Sequence, residues 1–253
     1  MPLELVTIPC LSDNYAFLLH NAETHETLLV DAPEAAPIQA TLDAQGWTLT
    51  DILITHHHND HVDGLAELRG SARVIGAAKD AHRLPLLDLA VDEGDTVVIC
   101  GETAEVFDVS GHTIHHIAVH FPTSAVLFTA DSLMALGCGR LFEGDAAQMW
   151  ASLLKLRALP DDTRVCSGHE YAQSNARFAL TIEPENSALQ TRVTDIDASR
   201  ANSQPTVPST LGLEKQTNPF LRADVPSLQA AVGMIEATPA EVFKFIREKK
   251  DNF

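Results

Sequence analysis

The densest chemistry in the chain lies in seven consecutive residues, Thr55-His56-His57-His58-Asn59-Asp60-His61. They follow Asp51-Ile52-Leu53-Ile54, an apolar run that reads as a buried strand. They precede Val62 to Leu68, read as a short helix around an Asp63-Gly64 turn. Ligand-type side chains therefore stand in a loop at a strand's end, where a scaffold can hold them rigidly. In extended backbone, side chains two apart point the same way, so His56 and His58 can converge on one ion. Asp60 and His61 follow once the chain turns, and can face a second. Imidazole nitrogen and carboxylate oxygen suit zinc, iron or manganese, and no thiolate lies near to close a structural zinc site. A solvated histidine-rich loop is the alternative, and it leaves the His-x-His-x-Asp-His spacing without a reason.

Thr-His-x-His-x-Asp-His resembles the signature of the metallo-β-lactamase superfamily of binuclear metal hydrolases. Within that superfamily the chain is most similar to the glyoxalase II, or hydroxyacylglutathione hydrolase, family, a narrower resemblance that rests on later segments. The fold implied is α/β, a metallo-β-lactamase-like αββα sandwich with a C-terminal helical domain. Residues 1–171 would form the catalytic domain and residues 172–253 the helical, substrate-binding one.

Three more strand ends carry ligand-type residues. His112 follows the strand read over Glu105 to Val109, after a glycine that permits a tight turn. We assign it as the third histidine on the ion held by His56 and His58. Asp131 follows the apolar strand Ser124 to Thr129; alone it would read as a turn residue, but beside the other ligands it is placed to bridge two ions. His169 follows Arg164 to Cys166 and joins Asp60 and His61 on the second ion. Two divalent ions are expected, zinc foremost, with iron or manganese accepted by the same donors. The set leaves room for water, as an open catalytic site requires. Asp31, ending the strand Thr27 to Val30, reads equally as a turn or cap and as a group orienting a ligand histidine. His82 reads as a surface residue, and His115, His116 and His120 as ordinary strand positions.

Strand patterns also cover Leu3 to Pro9, Tyr15 to His20, Ala72 to Gly76 and Thr96 to Cys100. A helix is expected from Pro33-Glu34 to Gln45 with Gly46 as its stop, and a short one over Ala77 to Arg83. Beyond Tyr171 the texture turns helical, over Gln173 to Ile182, Glu185 to Ser199, Val225 to Ile235 and Pro239 to Lys250. Thr238, Pro239 and Glu241 supply good N-terminal capping chemistry for the last of these.

At 253 residues with 45% hydrophobic content, the chain can bury a sizeable core. A formal charge of -18 disfavours binding to a phosphate backbone, so nucleic acid is not an expected partner. No apolar run approaches the roughly 20 residues needed to span a bilayer, and Met1-Pro2-Leu3-Glu4 has no leader character. A cytoplasmic monomer is expected. Cys10, Cys100, Cys138 and Cys166 are scattered without a CxxC pair and read as incidental buried thiols.

The substrate reading comes from the resemblance. Arg247 and Lys250 are three apart on one face of the last helix and could grip one carboxylate. Unaided, offsetting the helix dipole is the better reading of that pair. The glyoxalase II family, however, carries an Arg-x-x-Lys pair that binds the glutathione part of its substrate. Gly139-Arg140-Leu141-Phe142-Glu143-Gly144 resembles the family's loop that adds a basic residue and an aromatic, implying roles for Arg140 and Phe142. Gly168-His169-Glu170-Tyr171 resembles the segment whose tyrosine, here Tyr171, does likewise. Arg140 stands where many members have lysine, and Phe142 where some have tyrosine. The reaction implied is hydrolysis of an S-2-hydroxyacylglutathione, typically S-D-lactoylglutathione, by water activated between the two ions. Alternatives are a glutathione-dependent persulfide dioxygenase, with a smaller metal set and no extended helical tail, or a lactam or lactone hydrolase, which would not require Arg247 and Lys250. A non-catalytic metal-binding module would not be expected to keep all seven ligands.

Overall fold

Apolar strands bounded by turn residues dominate the first half of the chain, and the structure, a computed structural model, pairs them as their sequences dictate. Residues 3–253 are described; Met1 and Pro2, where the leader reading begins, lie outside them. The chain forms two compact units, one of residues up to Asp108 with His115–Ala130, the other of Val109–Ile114 with Asp131 to the C terminus. Compactness thus divides the chain elsewhere than at residue 171.

In the first unit, β1 (Glu4–Cys10) and β2 (Asn14–His20) form an antiparallel pair that continues into β3 (Thr27–Val30). Helix α1 (Ala35–Gln45) then crosses over to β4 (Asp51–Leu53), which pairs parallel to β3. Gly46 ends α1 at φ 69°, a left-handed conformation that a side chain would penalise. Two single-turn helices, α2 (Asn59–Val62) and α3 (Leu65–Leu68), lead to β5 (Arg73–Ala77) and on to β6 (Leu89–Val91), both parallel additions. The helix expected over Ala77 to Arg83 is only a 3-10 turn at Ala78–Asp80. Strands β2, β3 and β4 are buried at every position, which is why they read as continuous apolar runs.

A meander of β7 (Thr96–Ile99), β8 (Glu102–Asp108), β9 (Ile117–Phe121) and β10 (Val126–Ala130) completes this unit. Phe17 of β2 meets Phe128 of β10 with ring centroids 5.7 Å apart, and Phe121 meets Phe128 at 5.9 Å. The core therefore sits between the two sets of strands.

The second unit opens with a small hairpin, β11 (Leu133–Met134) and β12 (Gly137–Cys138), followed by α4 (Ala146–Arg157). Asp145 caps α4 by accepting the Gln148 N–H at 2.8 Å. Strand β13 (Arg164–Ser167) precedes α5 (Ala172–Ile182) and α6 (Ser187–Ala201). It pairs antiparallel with β14 (Ser209–Thr210), a strand absent from the helical reading of this region. Helices α7 (Leu211–Thr217), α8 (Pro226–Ala231) and α9 (Pro239–Asp251) follow. The capping box expected from Thr238 and Glu241 is formed. Phe243 of α9 packs on Trp150 of α4 at 6.1 Å and on Phe220 at 5.6 Å, giving this unit an aromatic core of its own.

Candidate functional site

The loop after β4 is held from below by one carboxylate. Asp31, 3% exposed, accepts the Thr55 N–H at Oδ1 (2.9 Å) and the Thr55 hydroxyl at Oδ2 (2.9 Å). His61 Nδ1 lies 2.8 Å from the same Oδ2, and as donor it leaves its Nε2 with the lone pair. Thr55 Oγ1 points its hydrogen at Asp31, so it accepts from His56 Nδ1 at 3.0 Å. His56 is thereby set in the same tautomer. Of the two readings left open for Asp31, the orienting one describes what it does. Asp60 is steadied by Asn14, whose Nδ2 donates to its Oδ2 (3.0 Å) and its backbone oxygen (3.1 Å). His58 stands edge-on to His56, ring centroids 4.8 Å apart. All four predicted ligands of this loop therefore share one end of β4 within the first unit.

The second unit gathers the other three. His112 Nδ1 donates to the Arg140 carbonyl at 2.9 Å, so its Nε2 also keeps the lone pair. That nitrogen lies 3.4 Å from Asp131 Oδ2, while His169 Nε2 lies 3.3 Å from Asp131 Oδ1. One carboxylate thus presents each oxygen to a different imidazole, and all three residues are buried. A lone pair facing a carboxylate oxygen needs a positive centre between them, which a bound cation would supply. Neutral imidazoles and carboxylates, with no thiol among them, make a donor set that fits divalent ions. Gly139 makes the packing possible: a Cβ there would fall 2.1 Å from the Asp131 carbonyl and 2.7 Å from His112 Nδ1.

The predicted substrate residues lie in the same unit. Phe142, 64% exposed, meets His112 edge-on at 5.3 Å, and Tyr171 stacks on His169 at 4.7 Å. Arg140 is exposed. Arg247 is buried, with Nη1 donating to the Cys138 carbonyl (2.9 Å) and Nη2 2.9 Å from Asp251 Oδ1. Its donors are largely committed within the protein, so the pair does not present two equally open cations. Lys250 is half-buried, with Nζ 3.3 Å from Ser174 Oγ and 5.3 Å from the centroid of Phe178. Burial, then repulsion from Arg247, Arg177 and Arg140, lowers its pKa to about 8.

Two family models cover this chain: metallo-beta-lactamase superfamily over residues 14–169, and hydroxyacylglutathione hydrolase C-terminus over residues 170–253. A Ruegeria pomeroyi protein named hydroxyacylglutathione hydrolase is 65% identical over the full length of both chains. The chain belongs to the hydroxyacylglutathione hydrolase family. A Jannaschia sp. protein of the same name is 62% identical over 99% of this chain and 98% of its own. Among solved structures, the BLEG-1 B3 metallo-beta-lactamase shares the fold at 23% identity and TM-score 0.67, covering 86% of this chain and 99% of that one. Within the hydroxyacylglutathione hydrolase family, then, this chain has the metallo-β-lactamase fold that its histidine motif implied.

Sequence reasoning about this hydroxyacylglutathione hydrolase family member missed the supporting residues. Asn14 closes the turn-type sequence Ser12-Asp13-Asn14, and nothing in its neighbourhood points to Asp60, 46 residues away. His116 is fully buried and stacks on His56, rings 4.5 Å apart, whereas its sequence position suggested an ordinary strand residue. His115 is not in a strand: its φ of 65° places it in a turn before β9. His120 does lie on β9, with Nδ1 3.2 Å from Glu105 Oε2. All four cysteines are free and buried. Burial pushes the thiols of Cys10 and Cys138 up to about 11 and that of Cys100 to about 12, so they are inert as nucleophiles. No helix among the described residues is long and apolar enough to cross a membrane.

Proposed function

We propose that the protein is a binuclear metal thioesterase that hydrolyses S-2-hydroxyacylglutathione, with S-D-lactoylglutathione as the typical substrate, to glutathione and a 2-hydroxy acid. His56, His58 and His112 would hold one ion, Asp60, His61 and His169 the other, and Asp131 would bridge them, with zinc as the expected metal. Bound there, two divalent ions supply Lewis acidity toward a carbonyl oxygen and lower the pKa of water from 15.7 to about 7. The observation that carries the reading is the coincidence of ligands and platform in the second unit. The imidazoles that face Asp131 are the same ones on which Phe142 and Tyr171 lie.

The chain's own residues do the positioning. Asp31 and Thr55 fix the tautomers of His61 and His56, and the Arg140 carbonyl fixes that of His112. Asn14 keeps Asp60 from swinging into solvent. Phe142 and Tyr171 offer exposed aromatic faces to the apolar part of the thioester, and Arg140 and Lys250 offer charge to the carboxylates of its peptide. A thiol with a pKa of about 8.5 leaves as thiolate, so no protein acid is required at sulfur. The C-terminal family match over residues 170–253 favours this reaction over persulfide oxidation and over lactam or lactone hydrolysis. Residues 172–253 are accordingly read as the substrate-binding domain. Four free buried thiols suit a reducing compartment, and we place the protein in the cytoplasm as a monomer.

Lys250 supplies the test. It is cationic below its lowered pKa of about 8 and neutral above it, so binding of a carboxylate weakens as pH rises through that value. The kcat/KM for S-D-lactoylglutathione should fall between about pH 7 and pH 9, relative to the carboxylate-free S-D-lactoyl-N-acetylcysteamine. Equal rates on the two thioesters at every pH would rule out recognition of the glutathione peptide.

A further inference from the structure

The second unit holds a cation that the reaction as described does not use. Eight of the eleven arginines lie in ion pairs with Asp or Glu. In a chain with 35 acidic and 17 basic residues, such pairing is the default. Arg140 and Arg177 depart from it: among the described residues neither guanidinium has a carboxylate or a hydrogen-bond partner, and both residues are exposed.

These two are not scattered. Arg177 lies on α5 one turn beyond Ser174, so the two side chains share a helical face. Ser174 is where Lys250 rests, its Nζ 3.3 Å from Oγ and 3.4 Å from the backbone oxygen. Phe178, next to Arg177, lies under the same ammonium at 5.3 Å. Arg140, Arg177 and Arg247 all raise the cost of a charge on Lys250, whereas Asp251 alone offsets it, and Asp251 is held by Arg247. Four cations from three segments therefore converge with one carboxylate among them. Like charges brought together with too few counter-charges disfavour the ligand-free state, and an arriving anion relieves them.

We propose that Arg177 is a substrate-recognition residue, its guanidinium taking a carboxylate of the substrate's peptide thiol carrier outside the position of Lys250. This rests on the glutathione thioester reading. An exposed arginine can close a bidentate pair with a carboxylate while Lys250, half-buried, acts as a point charge deeper in. A carrier with two carboxylates matches a cluster with more than one open cation.

The experiment is steady-state kinetics of the full chain and its Arg177→Gln and Arg177→Lys variants on S-D-lactoylglutathione and on S-D-lactoyl-N-acetylcysteamine. Arg177→Gln should raise KM for the glutathione thioester by about tenfold with kcat little changed, the loss of one charge-assisted contact. It should leave the carboxylate-free thioester unaffected, and Arg177→Lys should recover most of the loss. An unchanged KM for the glutathione thioester, or an equal loss on both substrates, would overturn the assignment while wild type still preferred the glutathione thioester. If wild type showed no such preference, the substrate reading would fail first and this inference with it.

Discussion

Replacing Asp131 with alanine should abolish thioester hydrolysis and strip metal from the protein while leaving the fold intact. The side chain is small and buried at a loop after β10, so its removal opens little apolar volume. What it removes is a carboxylate that lies 3.4 Å from His112 Nε2 and 3.3 Å from His169 Nε2. Losing a residue that merely supports a metal ligand typically costs about 10–100-fold in affinity or activity, so losing a shared ligand should cost more than about 100-fold. Metal analysis should find fewer than two ions per chain, with circular dichroism unchanged. An Asp131→Ala protein that stayed active and fully metallated would return Asp131 to the status of a turn residue.

The largest expected effect on stability lies away from the ligands, at Glu214 of α7. This carboxylate is fully buried. It accepts from Arg192, from the Ser209 hydroxyl (2.5 Å), from the Leu136 N–H (2.9 Å) and from Asn218 Nδ2 (3.1 Å). Asn218 in turn donates to the carbonyls of Met134 and Gly137. The network thus pins the β11–β12 hairpin, which connects Asp131 to Arg140. Glu214→Ala would leave the Arg192 guanidinium, 5% exposed, without its counter-charge inside the protein. Breaking a buried pair from one side costs about 3–5 kcal/mol, and for a chain of this size each kcal/mol moves Tm by about 2–4 °C. A fall in Tm of roughly 10 °C is expected by calorimetry. Glu248→Ala is the control: its pair with Lys244 is 63–65% exposed, and such pairs contribute about 0–1 kcal/mol. Similar Tm values for the two variants would show that the Glu214 network contributes little to holding the hairpin.

How far these features could be read from sequence depends on the range of the interaction. The strands whose apolar runs are buried on both faces, β2, β3 and β10, were visible because burial leaves a local mark in residue type. The helix stop at Gly46 and the cap at Thr238 were visible for the same reason, each being set by one or two neighbouring residues. Short strands such as β6, β11, β12 and β14 carry no such mark, because two or three residues cannot establish a period. The histidine motif was legible from spacing, and the fold family from what that motif resembles. The Asn14 contact to Asp60, the stacking of His116 on His56 and the Glu214 network were not, since each joins residues that only the folded chain brings together. Arg247 shows the limit of helical spacing: three residues from Lys250 on one face, it is nevertheless buried and turned toward Cys138.

The most direct test of the whole proposal is metal reconstitution followed by thioester cleavage. Protein stripped with a chelator would be titrated with zinc, iron or manganese, and loss of S-D-lactoylglutathione followed by its ultraviolet absorbance against bound metal per chain. The expected result is activity that is absent without metal and reaches its maximum at two ions per chain. A chain carrying two ions that leaves the thioester uncleaved, or a metal-free chain that cleaves it at full rate, would contradict it.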